Sequence, residues 1–154
     1  MFYRSKHAMV LLLLSAAAFA QSTPVTNSYD AYIENQATVN QCSIGESVVL
    51  NGTVHLDYAV TTDSNGVNHF AIQATNNLTG AGQKTGTAYV ANDSDDYTSN
   101  NDDASADLTV ELKSDLQSQG SAPSLALVQG LHIVADATGN ITAQIVSNAT
   151  NCGN

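Results

Sequence analysis

The sequence predicts an all-β protein, an antiparallel meander of six or seven strands that closes as a barrel or folds as a sandwich. Three observations predict this fold. Apolar and polar residues alternate over long stretches, clusters of turn-forming residues separate those stretches at hairpin spacing, and the only two cysteines lie at the ends of the patterned region. Alternation with a period of two is typical of strands buried on one face, and after residue 20 no helical period of useful length competes with it.

Residues 1–20 have the three-part layout of a secretory signal peptide. Arg4 and Lys6 make the start positive, an apolar stretch follows, and residues 18–20 (Ala-Phe-Ala) provide a cleavage point. The stretch is shorter than the roughly 20 residues that span a bilayer, so cleavage is favoured over an uncleaved membrane anchor. No cysteine follows it closely enough to carry a lipid. We therefore expect a protein that is secreted, periplasmic or displayed at the cell surface, with no membrane span after cleavage.

Removal of residues 1–20 makes the chain more acidic. The full sequence has four Lys and Arg, fourteen Asp and Glu, and a net charge of −10; the leader carries Arg4 and Lys6 and none of the acids, so the net charge becomes −12. A surface this negative repels phosphate backbones, which excludes nucleic acid as a partner. Solubility outside the cell is the simplest reason for the acidity.

Residues 21–41 are polar and lack sustained alternation, so we expect an arm that precedes the folded domain. Residues 42–154 then form a single β-domain, since about 110 residues are enough for one core and not for two. Cys42 and Cys152 lie at its two ends, and in an exported chain such a pair predicts a disulfide. The alternative is a catalytic thiol, but neither cysteine has a histidine close to it in the sequence.

Residues 48–61 and 67–76 form the clearest pair of predicted strands. Both alternate apolar with polar side chains, and the residues between them are turn formers. A three-residue loop at 64–66 sets apolar against apolar residues, for example Tyr58 opposite Ile72, whereas a two-residue loop sets apolar against polar residues throughout. The pattern therefore predicts a three-residue hairpin loop with a glycine bulge.

The remaining predicted strands follow at similar spacing. Residues 80–91 are rich in glycine, which predicts a thin or sharply curved strand. Residues 106–116 alternate strongly, residues 125–135 do so with a candidate bulge at positions 129 and 130, and a last strand begins at residue 141 after a turn. With the first hairpin, these segments complete the predicted meander.

Residues 92–103 concentrate oxygen ligands in what reads as a long loop. Calcium prefers such ligands, although the spacing does not match an EF-hand, which has a glycine at its sixth position and a glutamate at its twelfth. A solvated flexible loop is the favoured interpretation, and a calcium site is the alternative. We expect no cofactor other than calcium, whose candidate ligands are Asp93, Asp95, Asp96, Asp102 and Asp103.

Three histidines remain after export: His55, His69 and His132. All three lie at outward positions of predicted strands, and the hairpin register separates His55 from His69 by roughly 20 Å at about 3.3 Å per residue. A zinc site needs ligand nitrogens that converge, so we expect solvent-facing residues and no zinc site.

A series of residues between the two cysteines resembles a group of small secreted bacterial proteins of unassigned function. In that group a similar pattern runs between two terminal cysteines, with a Gly-Thr-Val-His element in the first strand. The matching residues here are Cys42, Gly45, Glu46, Val48, Leu50, Gly52, Thr53, Val54, His55, Asp63, Gly66, His69, Thr85, Gly86, Tyr89, His132, Gly139, Thr142, Ala143 and Cys152. The resemblance implies export and a β fold, and no activity.

Three classes of function fit these features. The first is a non-catalytic binding or structural domain, which the absence of catalytic motifs and the polar outer faces favour. The second is an enzyme of unusual type, such as a barrel isomerase, although the predicted inward faces carry almost no polar side chains. The third is a barrel that carries small apolar ligands, with a cavity lined by Tyr58, Phe70, Leu108, Val110 and Ile133.

Overall fold

The computed structural model describes residues 22–42, 45–101 and 105–152. The predicted signal peptide, Asp102 and Asp103 lie outside the described residues. The described residues form eight strands and no helix. In chain order the strands are β1 (Val25–Asn40), β2 (Glu46–Thr62), β3 (Asn68–Gly82), β4 (Ala88–Ala91), β5 (Ser94–Asn101), β6 (Ser105–Ser118), β7 (Leu125–Asp136) and β8 (Ile141–Cys152).

The strands form one antiparallel sheet that curls into a nearly closed barrel. The order around the sheet is β1-β2-β3-β4-β6-β7-β8. β4 and β5 both pair with β3, β4 along Leu78–Ala81 and β5 along Asn68–Thr75, so that they lie end to end on the same side of that strand. β1 and β8, at the two ends of the order, contact each other. The predicted all-β antiparallel fold is therefore confirmed, and the barrel is the arrangement that it adopts, with eight strands among the described residues instead of the six or seven expected.

Side chains hold β1 and β8 together where they meet. The hydroxyls of Thr38 and Thr150 are 3.0 Å apart, and the Thr150 hydroxyl also lies 2.6 Å from the carbonyl oxygen of Val39. At the other end of the seam, the Asn27 side chain donates to the carbonyl of Gly139 at 2.7 Å. The contacts of Thr38 with Thr150 and of Asn27 with Gly139 both join residues that are 112 positions apart in the sequence. Because this separation is the same at both ends of the seam, β1 and β8 run in the same direction.

The disulfide between Cys42 and Cys152 closes one end of the seam. The two Cα atoms are 5.2 Å apart, and the bridge spans 110 residues of chain. This confirms the predicted pairing, and it places the cross-link at the position where the first and last strands of the barrel meet.

β2 and β3 pair in the predicted register. Tyr58 lies opposite Ile72. Beyond the last ladder pair, the N–H of Asp63 donates to the carbonyl of Val67 at 3.0 Å, which leaves residues 64–66 as the loop. Gly66 has a φ of 86°, and its N–H donates to the carbonyl of Asp63 at 3.1 Å. The three-residue loop is therefore confirmed, with glycine at the position that needs a left-handed backbone.

Inward side chains from the strands form one apolar core cluster inside the barrel. The predicted alternation of the strands after residue 105 is confirmed by the burial of every second residue. The core cluster consists of Ala31, Ile33, Val48, Leu50, Val54, Leu56, Tyr58, Val60, Phe70, Ile72, Ala74, Leu78, Tyr89, Ala91, Ala106, Leu112, Leu116, Leu125, Leu127, Leu131, Ile133, Ala135 and Ile141.

The prediction that residues 21–41 form an arm is wrong for Val25–Asn40, which is β1 and pairs with β2. A bulge between Ile33 and Gln36 hides the alternation, because the register shifts there and Asn35 has a φ of 52°. Inward residues have odd numbers before the bulge and even numbers after it. A bulge adds a residue to one strand only, which reverses the alternation beyond it. The sequence of β1 therefore shows no single alternating pattern.

Residues 94–101 were predicted in a flexible loop, and this prediction is also wrong, because they form β5 on the edge of β3. The segment is polar, with Tyr97 the one large apolar side chain that packs against the core. Its strand conformation depends on hydrogen bonding to β3 rather than on its own β-propensity.

Two smaller expectations also change. The glycine-rich segment 80–91 is not one strand: β3 ends at Gly82, and a turn at 83–87 leads into β4. The bulge expected in β7 lies on β8, where Val146 is the extra residue, because Gly130 pairs with Ser147 and Leu131 with Ile145.

The prediction that the inward faces carry almost no polar side chains is wrong. Among the described residues, eight buried polar residues accompany the apolar core: Thr38, Asn40, Glu46, Asn68, Asn76, Ser114, Gln129 and Thr150. Some are paired with each other or with an aromatic hydroxyl; Asn40, for example, donates to the hydroxyl of Tyr89 at 3.1 Å. The interior of the barrel is therefore only partly apolar.

Candidate functional site

A groove of about 750 Å³ crosses the outer face of β1, β2, β3 and β5. Its floor is the cross-strand pair Ala59 and Ala71, with Thr26 beside it on β1 and Thr98 beside it on β5. These four small side chains form a row across four strands. Because longer side chains flank the row, the sheet surface is depressed here.

A second row of groove residues runs parallel to the first and is polar throughout. Ser28, Asp57, Gln73 and Asp96 face each other across the same four strands. The side-chain amide of Gln73 donates to the carboxylate of Asp96 at 2.9 Å. The carboxylate-bearing side chain of Asp57 is 65% exposed, which leaves it open to a ligand.

His55 lies next to the polar row and between two carboxylates. Its Nδ1 is 2.6 Å from Asp30 and its Nε2 is 3.4 Å from Asp57. The hydrogen bond with Asp30, supported by the negative charge of Asp57, raises the pKa of His55 above its ordinary value of 6.5. His55 thus contacts the carboxylate of Asp57 at the rim of the groove.

The groove lining contains two carboxylates and no lysine or arginine. Its lining includes Asp57 and Asp96, whereas Lys84 and Lys113, the two basic residues in the described part of the chain, do not line it. The local charge therefore favours a ligand that donates hydrogen bonds and disfavours phosphates, sulfates and carboxylates.

The three histidines lie on the outer faces, as predicted, and each contacts an acid. His69 lies 2.8 Å from the Asn100 side chain and 3.3 Å from Asp63, and these hydrogen bonds raise its pKa. His132 lies 2.7 Å from Asp107 on the neighbouring strand. In the described ranges, no three His, Cys, Asp or Glu residues converge on a point that could hold a metal ion.

The described aspartates of the proposed calcium segment bond to protein groups. Asp93 accepts from the backbone N–H of Asp115, and Asp95 accepts from the backbone N–H of Lys113, both at 2.9 Å. These bonds tie β5 to the neighbouring β6. Asp96 points to the opposite face and bonds to Gln73. Calcium binding by this segment stays a prediction. The observed role of the Asp93 and Asp95 carboxylates is to connect this segment to β6.

Glu46 is a buried carboxylate at the start of β2. It is 1% exposed and lies against Gly82 at the end of β3. Its oxygens accept from the backbone N–H groups of Lys84 and Thr85 at 3.0 Å and from the Thr85 hydroxyl at 2.8 Å. Hydrogen bonding from Thr85 lowers the pKa of Glu46 below its ordinary value of 4.5. Glu46 therefore organises the turn between β3 and β4.

Glu46→Gln is expected to lower the melting temperature at pH 7 by about 5 °C, because an amide has one acceptor fewer for the same donors. The folded-state pKa is depressed, so the stabilisation is fully present above pH 4.5 and is lost as the pH falls through the lower folded-state value. Thermal melts from pH 7 to pH 3 check this: the gap between variant and wild type narrows in acid. A constant gap contradicts the assignment to the carboxylate.

A second, smaller groove of about 420 Å³ follows the seam between β1 and β8. Tyr29 and Ile33 line it from β1, and Ala143 and Ile145 line it from β8. Tyr32, on its rim, is 73% exposed. This groove exists because side chains, rather than a continuous ladder, join the two strands.

Comparison with known proteins identifies no relative of this chain from which a function could be inferred. No protein-family profile, curated protein or solved structure gives a significant match to this chain. The resemblance to small secreted bacterial proteins therefore stays a prediction. Among the residues that the structure describes, none belongs to a helix long and apolar enough to cross a membrane.

Proposed function

We propose that the protein is an exported, non-catalytic binding domain that holds a neutral, hydroxyl-rich ligand, a carbohydrate, in the groove across β1, β2, β3 and β5. The observation that carries the proposal is the composition of the groove. An apolar floor made by Ala59 and Ala71 is edged by polar side chains that converge on it, the usual composition of a ligand site.

The groove chemistry favours hydroxyl groups. The carboxylates of Asp57 and Asp96 accept hydrogen bonds, the Gln73 amide both donates and accepts, and Thr26 and Thr98 add hydroxyls at the two sides. The C–H faces of a sugar ring match the methyl groups of the floor. An anionic ligand would face the two carboxylates with no lysine or arginine in the groove lining to compensate them, so a neutral ligand is preferred.

The exposure of the groove carboxylates supports a binding role rather than a catalytic one. Catalytic acids and bases are usually shielded from water, which shifts their pKa values toward the operating pH. The Asp57 side chain is 65% exposed. A carboxylate so open to solvent suits reversible hydrogen bonding to a ligand.

The place of action rests on two features. The disulfide between Cys42 and Cys152 is compatible with an oxidising compartment outside the cytoplasm. The signal-peptide pattern of residues 1–20 supports export. Secretion, the periplasm and the cell surface all fit these features.

The alternative of an apolar-ligand carrier receives less support from the interior. Tyr58, Phe70 and Ile133 are at most 2% exposed and belong to the core cluster, with Leu108 and Val110 packed against it. The Tyr58 hydroxyl donates to a backbone carbonyl, and burial raises its pKa to about 12. These contacts favour a packing role for the residues proposed to line a cavity.

Ala71→Tyr tests the proposed site by filling the groove floor. Ala71 is exposed, so the larger side chain is expected to leave the melting temperature within about 3 °C and to reduce affinity for the bound carbohydrate at least about tenfold. Wild type is screened on a glycan array, and hits are quantified by calorimetry for both proteins.

The matched control is Ala149→Tyr, another exposed alanine, on β8, which does not line the groove. It is expected to bind as wild type does. A wild-type protein that binds no glycan, or an Ala71→Tyr variant that binds as tightly as the control, contradicts the proposal. Binding confined to polyamines would assign the groove to cations instead.

A further inference from the structure

Two buried amides face each other inside the barrel, remote from the outer groove. Gln129 on β7 is fully buried, between the inward residues Leu127 and Leu131. Its ladder partner on β8 is Asn148. Directly opposed residues of an antiparallel pair share a face, with Cβ atoms about 4.5–5.5 Å apart. The two side chains therefore enter the same part of the interior.

Neither amide has a hydrogen-bond partner in the described part of the chain. The nitrogen and oxygen of both Gln129 and Asn148 are inaccessible to solvent and unpaired. Native proteins pair nearly all buried polar groups, because an unpaired buried amide loses its hydration without compensation. Four such groups at one place therefore point to a hydrogen-bonding ligand.

The bulge in β8 is the reason that Asn148 faces inward. Ile141, Ala143 and Ile145 face the interior before the bulge; Asn148 and Thr150 face it afterwards, because Val146 is an extra residue. Without the bulge, exposed positions such as Ser147 and Ala149 would alternate inward instead. Bulges often change the face of the sheet to which a side chain points. Here the bulge turns the Asn148 amide toward the Gln129 amide.

Three further polar residues, Thr150, Ser114 and Asn76, extend the pair into a buried polar tract. Thr150, two residues beyond Asn148, is buried, and Ser114 lies opposite Leu127, a diagonal neighbour of Gln129. Ser114 accepts a hydrogen bond from the Asn76 amide, whose own oxygen is buried and unpaired. The tract presents donors and acceptors together.

We infer that Gln129 and Asn148 form an internal binding site for a small uncharged molecule that both donates and accepts hydrogen bonds. The side chains of the tract are amides and hydroxyls, which offer no charge to balance an ion. Water has this chemistry, and internal waters typically make about three hydrogen bonds to buried polar groups. A small uncharged metabolite has it as well. The inference is independent of the carbohydrate groove.

A crystal structure of the wild-type protein at a resolution that shows ordered water is the first test. It is expected to show density within about 2.7–3.2 Å of a side-chain atom of both Gln129 and Asn148. Direct bonding between the two amides, with no density beside them, overturns the inference. Native mass spectrometry of the same preparation identifies the source: an added mass indicates a metabolite, and the bare mass together with density indicates water.

Gln129→Met is the second test, because the sign of its effect is diagnostic. If the amide binds a ligand, its removal costs hydrogen bonds, and the melting temperature is expected to fall by about 4 °C. If the amide is uncompensated, an apolar replacement of similar shape raises the melting temperature and overturns the inference. Leu127→Met, at the neighbouring inward position, is the control and is expected to change the melting temperature little.

Discussion

Replacing Cys42 and Cys152 together with serine is expected to lower the free energy of unfolding by about 4–5 kcal/mol, the chain-entropy value for a loop of this length. The bridge spans 110 residues. Its loss therefore raises the conformational entropy of the unfolded state over nearly the whole domain. Urea unfolding of the double variant and the wild type measures the difference. Dithiothreitol should bring the wild type to the stability of the variant and leave the variant unchanged.

The position of the disulfide adds a local effect to the global one. The bridge closes the end of the seam at which Thr38 and Thr150 also join β1 to β8. Because side chains rather than a ladder hold this seam, removal of the bridge is expected to speed amide hydrogen exchange there more than in the β2–β3 hairpin. Equal stability of the double variant and the wild type would show that the cross-link does not support the fold.

The sequence was sufficient to predict the part of the fold that depends on local alternation. The pairing of Tyr58 with Ile72 follows from a period of two and a short turn, and both can be read without knowledge of other strands. β1 and β5 could not be found in this way. The bulge before Gln36 interrupts the alternation of β1, and β5 is a strand because it pairs with β3.

The candidate site was missed for the same reason. The floor of the groove, Ala59 and Ala71, belongs to the predicted hairpin, but β1 and β5 form its two sides. A groove is a property of neighbouring strands, and two of the four were not predicted to be strands. The partner of His55 was missed likewise, because Asp30 lies on β1.

Burial of polar residues is the other property that the sequence did not reveal. Gln129 has the inward parity of its neighbours, yet a glutamine in an apolar run reads as a bulge or a break. Glu46 stands at the start of a strand, where a charged residue is normally solvated. Its burial depends on the turn at 83–87, which brings backbone donors to it from 38 and 39 residues away.

The bulge in β1 lies opposite a glycine of β2 that the backbone of β3 approaches closely. Gly52 pairs with Ile33 on β1 and with Leu78 on β3, and its φ is 141°. A Cβ at this position would overlap the carbonyl oxygen of Asn77 and lie 3.0 Å from the Cα of Leu78. These are backbone atoms of a paired strand, so they cannot move aside as a flexible side chain would. Beside the glycine, Asn51 accepts a hydrogen bond from the N–H of Asn35 in the bulge at 2.9 Å.

Gly52→Ala is therefore expected to lower the free energy of unfolding by at least about 3 kcal/mol, from backbone strain at this φ together with steric overlap. Chemical unfolding measures the loss, and a fall of more than about 10 °C in melting temperature should accompany it. Gly120→Ala is the control, since a Cβ there meets nothing within 4 Å. If the two alanine variants are equally stable, β2 and β3 do not approach at Gly52 as closely as the barrel requires.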